Sequence, residues 1–219
     1  RRSAEFAQLV HVLLKIYATS TKNRYCALRL RPFLTRSAAS TGPTPQLTVD
    51  SRSLHSMDSP FHSASELKQL FNLIGKSFDA VQLSHGRLQG RFKVANLGSI
   101  VLIELQTNQR LLLNGERGHD CMSFCFEATG MADEHRLFNI PIAQYSLNGF
   151  RQGQIESHFQ LSANTTTYLA ILSTSRFNAF LNHCDSADVI EELETNNALQ
   201  INPSLHAQFR QKFQYFLDH

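Results

Sequence analysis

No apolar run in this 219-residue chain approaches the ~20 residues that a helical membrane span requires. The common catalytic signatures are missing too: there is no GxSxG, HExxH, P-loop or GxGxxG. Hydrolase, zinc-protease and nucleotide-binding readings therefore have no anchor. Cysteine is sparse. Cys26, Cys121, Cys125 and Cys184 form no dense or even framework. Cys121 and Cys125 would share one side of a strand, but two further ligands at metal-binding spacing are absent. The cysteines read as free thiols in a reducing cytosol, so a cytoplasmic protein without metal or other cofactor is expected.

Acidic residues are scarce at one end. Residues 1–56 hold nine Lys/Arg against two Asp/Glu, a charge of +7. The other 163 residues hold twelve basic and sixteen acidic side chains, a charge of −4. The main body is thus a poor candidate for binding nucleic acid by neutralising phosphates. The basic segment opens with Arg1, and the first methionine is Met57. Phe6, Leu9, Val10, Leu13, Leu14 and Tyr17 share a helical face, an Arg- and Ser/Thr-rich run follows, and Gly42-Pro43-Thr44-Pro45 ends regular structure. Transit-peptide composition and a basic arm are two readings. The favoured reading of residues 1–56 is an extension, disordered or upstream of the true start.

From Phe78 to Gly130 short apolar or alternating runs recur, separated by turn residues such as His85-Gly86, Asn96 to Gly98 and Asn114-Gly115. Asn114-Gly115 and Asn148-Gly149 read as hairpin turns. Thr166 to Leu172 closes the series as a buried strand. Eight or nine strands without intervening helices predict a closed double-sheet jelly roll. Before it, Ser63 and Glu66 have capping-box spacing. Leu67, Leu70, Phe71 and Ile74 form one apolar face, and Gly75 suits the helix end. After it the period changes. Helices are predicted from Ser175, over Ser186 to Leu193, and beyond the Asn202-Pro203 break. The fold class is therefore mainly β with C-terminal α-helices, divided as 1–56, 57–172 and 173–219. The last helix carries Phe209, Phe213, Phe216 and Leu217 as a stripe. It either docks on its own core or forms a dimer seam.

One stretch resembles a known family. Ser77-Phe78-Asp79-Ala80, Leu83-Ser84-His85-Gly86-Arg87-Leu88-Gln89-Gly90 and Leu97-Gly98-Ser99-Ile100-Val101-Leu102 are similar to the first strands of the N-terminal effector-binding domain of AraC/XylS-type transcriptional regulators. The resemblance runs from Phe78 to Leu172. It implies a cupin-like barrel that binds a small organic effector, with residues 173–219 as the dimerisation or linker helices that follow. A homodimer is then expected, and DNA would be reached only through a C-terminal helix-turn-helix domain absent from this sequence. The chain either stops short of that domain or is a sensor without one. The pattern departs from enzymatic cupins, since no H-x-H pair is present. Effector-site candidates are Arg91, Arg110, His119, Phe124 and Phe126, the arginines because many effectors are anionic; for Phe124 and Phe126 plain core packing is the favoured competing reading. A metal-dependent cupin-like enzyme and a stand-alone interaction or dimerisation module are the alternatives.

Overall fold

The computed structural model describes residues 56–98, 100–116, 120–129, 135–150, 156–181, 195 and 197–219. Twelve strands and three helices lie among them. In chain order they are β1 (Ser56–Phe61), α1 (Ala64–Leu73), β2 (Phe78–Gln82), β3 (Gly90–Asn96), β4 (Ile100–Thr107), β5 (Leu111–Glu116), β6 (Cys121–Thr129), β7 (Arg136–Leu137), β8 (Ile140–Pro141), β9 (Ser146–Asn148), β10 (Glu156–Leu161), β11 (Thr165–Ser173), α2 (Thr174–Leu181), β12 (Ala198–Gln200) and α3 (Pro203–Asp218). The strands form two antiparallel sheets. The larger runs β1-β3-β4-β11-β6-β9-β12 and the smaller β2-β5-β10-β7-β8.

The expected closed barrel is not formed. Each sheet is open, and among the described residues no strand pairs from one sheet to the other. What holds them together is side-chain burial on the faces. Along β11, Leu169 and Ile171 point toward the smaller sheet, while Tyr168, Ala170 and Leu172 point the opposite way. The alternation repeats on β4, with Ile103 and Leu105 against Ile100 and Leu102, and on β6, with Cys125 against Met122, Phe124 and Phe126. Both faces of the large sheet are therefore apolar, as in sheets covered on both sides. One face meets Leu111, Leu113, Phe159 and Leu161 of the smaller sheet together with Leu67 and Phe71 of α1. The other meets Phe177 of α2 and Phe209, Phe213, Phe216 and Leu217 of α3.

Local chemistry explains most element ends. Ser63 Oγ accepts from the Glu66 amide at 3.1 Å, but the Glu66 carboxylate reaches the His62 amide at 2.7 Å rather than the cap's own nitrogen. Gly75 stands just past the end of α1 at φ 71°, a left-handed position that suits glycine. Asn202 Oδ1 caps α3 at the Leu205 amide, with Pro203 next.

Four other expectations change. Asn114-Gly115 is not a turn: both residues lie inside β5, paired with Asp79 and Phe78 on one side and with His158 and Ser157 on the other. Gly115 is required there by close approach, because a Cβ would come within 2.4 Å of the Ser77 carbonyl oxygen. Asn148-Gly149 does not join a hairpin either, since β9 and β10 belong to different sheets. The strands do not begin at Phe78, because Ser56–Phe61 precedes α1 as a strand paired with β3. Residues 173–219 are not wholly helical, because β12 adds to the large sheet beside β9. The helix expected over 186–193 lies outside the described residues, as do residues 1–55.

Phe209 is completely buried against Phe124 and Phe126. Phe209→Ala should cost about 3–5 kcal/mol in urea unfolding. Tyr215→Ala, at the 58% exposed Tyr215 of the same helix, should stay within about 0.5 kcal/mol. A Phe209→Ala cost as small as that of Tyr215→Ala would contradict the docking of α3.

Candidate functional site between the two sheets

The space between the sheets has an apolar end and a polar end. At the apolar end a cavity of about 30 Å³ is walled by Phe71 of α1, Phe78, Ile103, Leu113, Phe159 and Ile171. That is room for about one water molecule. Lys76, Ser123 and Ser157 contribute the polar lining. Phe71 is fixed by ring contacts to Phe78 at 4.9 Å and to Phe92 at 4.8 Å. Phe159 is the partition, since its ring also lies 6.1 Å from that of His135 at the polar end.

The polar end is built on the inward positions of β6 and β11. His135 is completely buried, and its Nε2 lies 2.7 Å from Glu127 Oε1. The Ser162 amide N–H also donates to Nε2, at 3.2 Å, so one ring nitrogen faces a backbone donor and the carboxylate together. Thr165 Oγ1 stands 2.8 Å from the same carboxylate oxygen, 3.1 Å from Nε2 and 2.5 Å from the Thr129 carbonyl. Its single hydroxyl proton serves one acceptor at a time. His135 Nδ1, Ser162 Oγ and Thr167 Oγ1 are buried and have no partner among the described residues. Unpaired polar atoms are costly inside a protein, so this end of the interior is primed for further hydrogen bonds. Among the described residues no group of three His, Cys, Asp or Glu converges to hold a metal ion.

Arg91, Phe124 and Phe126 lie elsewhere. Arg91 is on the surface in a two-pronged pair with Asp58, both contacts 2.6 Å, and lines an open groove at the end of β3, β4 and β11. That hydrogen bond holds the Asp58 carboxyl below its ordinary value. Arg110 sits in the crossover from β4 to β5. Its carbonyl accepts from the Leu83 amide at 2.8 Å, and its amide donates to Ser84 Oγ at 2.9 Å. Phe124 and Phe126 are brought together, but on the helix-covered face, against Phe209, so they do not line the space between the sheets. His119 lies outside the described residues. The stripe Phe209, Phe213, Phe216 and Leu217 is buried on the chain's own sheet. Glu127, His135, Phe159 and Thr165 carry the interior instead. The parity of β6 holds the signal for Glu127: Cys121, Ser123, Cys125 and Glu127 alternate with three bulky apolar residues.

The helix-covered face has polar anchors of its own. His206 of α3 is packed edge-on against the rings of Phe126 and Tyr145, and its Nε2–H donates to the Glu127 carbonyl at 2.8 Å. Lys93 pairs with Asp218 in the last turn of α3. Burial, then the adjacent Glu104 carboxylate, raises the Tyr168 phenol above its ordinary value, so Tyr168 stays protonated and donates to Glu104.

Comparison with known proteins gives one similar solved structure, titled "Crystal structure of the AraC-like transcriptional activator CuxR". It is 9% identical, with a TM-score of 0.41, over 74% of this chain and 70% of that one. No family model and no curated protein matches. No helix among the described residues is long and apolar enough to cross a membrane.

Burial depresses the pKa of His206 below its ordinary 6.5. The unfolded chain then binds a proton that the folded chain resists, so stability is fully present above pH 6.5 and falls as the pH drops below it. Urea midpoints measured from pH 7.5 down to 5 should fall with a slope that His206→Gln reduces. An identical slope in the variant would contradict a neutral, buried His206.

Proposed function

We propose that this chain is a ligand-sensing regulatory domain of the AraC/XylS type. It binds a small organic effector between its two sheets and acts on transcription through a DNA-binding domain outside this sequence. The resemblance of Phe78 to Leu172 to that family motivates the reading. The observation that carries it is the interior itself: an apolar cavity behind α1, separated by Phe159 from a buried set of hydrogen-bonding groups. Apolar walls with a few convergent polar groups are the usual make-up of a small-molecule pocket. The sandwich is then an opened version of the cupin-like jelly roll, and the protein is cytoplasmic.

The cavity is far smaller than the ~300 Å³ at which ligand pockets begin, so an effector must move a wall. The wall formed by α1 is a single helix. That helix is buried through Leu67 and Phe71, and its other side chains are at least partly exposed. Swinging Phe71 outward joins the cavity to solvent. In this account α2 and α3 pass the ligated state onward. A homodimer would use a surface other than the buried Phe209–Leu217 stripe.

A thermal-shift screen of small organic acids, sugars and aromatic metabolites tests the proposal. A ligand present at about a hundred times its Kd should add about 2.7 kcal/mol, a rise of several degrees in melting temperature. Leu169→Phe, which fills the cavity from its lining, should abolish that rise while the protein stays folded. A rise undiminished by Leu169→Phe, or no stabiliser in any of the three classes, would overturn the assignment of the interior as the effector site.

A further inference from the structure

The polar cluster between the sheets and the C-terminal helix on the far face are joined through one residue. Thr167 pairs with Glu127 but Thr166 pairs with Thr129, so Ala128 is the extra residue of a β-bulge in β6. The Glu127 side chain points inward to His135 and Thr165. The backbone of the bulge is held from the other side: the Glu127 carbonyl accepts from His206 Nε2 at 2.8 Å, and the Ala128 carbonyl from Arg210 Nη1 at 3.4 Å. His206 and Arg210 are four residues apart and share a face of α3. Among the described residues β9 pairs with β6 only at Cys125, so this end of β6 has no second strand beside it. Half-buried carbonyls with no second strand beside them still need donors, and α3 supplies them.

We propose that the Glu127–Ala128 bulge is a lever coupling the interior His135–Glu127–Thr165 cluster to the docking of α3. A bulge has few ladder bonds to resist its movement, and this one is clamped on both sides by side chains. Pulling Glu127 toward new interior partners turns the peptide units whose carbonyls His206 and Arg210 hold. Releasing α3 frees the bulge and loosens Glu127. The coupling is a property of the unliganded chain, and it holds whatever occupies the interior.

The test is native-state hydrogen exchange on the full chain, read as the ratio of exchange in α3 to exchange in β4. His135→Gln alters the cluster at a residue with no hydrogen bond or ring contact to α3 among the described residues and is the deciding variant, whereas Glu127→Gln also removes a carboxylate that acts on His206 through space. Each should raise the ratio about tenfold, the effect of losing one buried charged hydrogen bond. Ile171→Val, on the same inner face, away from the bulge and in neither measured element, is the control and should leave the ratio unchanged. A His135→Gln ratio that matches the control overturns the lever. The reciprocal variant His206→Ala is read by nitrogen NMR at the His135 ring and decides the matter if His135→Gln does not fold. A moved Nε2 resonance supports the lever, and an unmoved one overturns it.

Discussion

Burial on both faces of the seven-stranded sheet is the constraint from which the rest follows. Strands β4 and β11 carry large apolar side chains at odd and even positions alike, so neither face tolerates water. A second sheet and α1 cover one side, and α2 and α3 cover the other. Neither cover is optional: Phe92, Ile103 and Leu105 need the first, and Phe124, Phe126 and Tyr168 need the second. This is why the strands do not close on themselves. A small closed barrel has one interior, whereas this sheet has two.

Polar groups in such a structure are confined to places where they are answered. On the helix side Glu104 is nearly buried, and it is answered by Gln106 at 2.7 Å and by the Tyr168 phenol. The Lys93–Asp218 pair pins the last turn of α3, offsetting an acidic residue at a helix end that disfavours one. On the inner side Glu127 meets His135. The bulge at Ala128 is where the two polar systems come closest. The same residue that admits charge between the sheets gives its carbonyl to the far helix.

Much of the local structure was legible in sequence because its causes are local. Ser63, Glu66 and Gly75 bound α1, and Asn202-Pro203 opens α3, where a cap and a fixed φ act within four residues. The mainly β body with helices after it followed from the change of period near Ser175. Closure was misread because strand count does not tell one covered face from two. The run Tyr168-Leu169-Ala170-Ile171-Leu172 held that information, being apolar at consecutive positions rather than alternate ones. Asn114-Gly115 misled because its glycine answers close packing on Ser77, a tertiary contact, rather than a turn. For the site, Phe124 and Phe126 follow the core-packing reading, since their parity puts them under α3. His135 belongs to no motif in the chain, and only the fold brings Glu127 and Thr165 to it.

The most direct test of the central claim, that α3 is a structural cover of the sheet rather than an appendage, is the concentration dependence of its protection. The measurement is amide hydrogen exchange across residues 203–218, taken at high protein concentration and again at a dilution where any dimer has dissociated. The account predicts that α3 exchanges with the same cooperative unit as β4 and β11 at both concentrations. Exchange of α3 that becomes fast on dilution, while β4 and β11 stay protected, would contradict it and return the Phe209–Leu217 stripe to a partner.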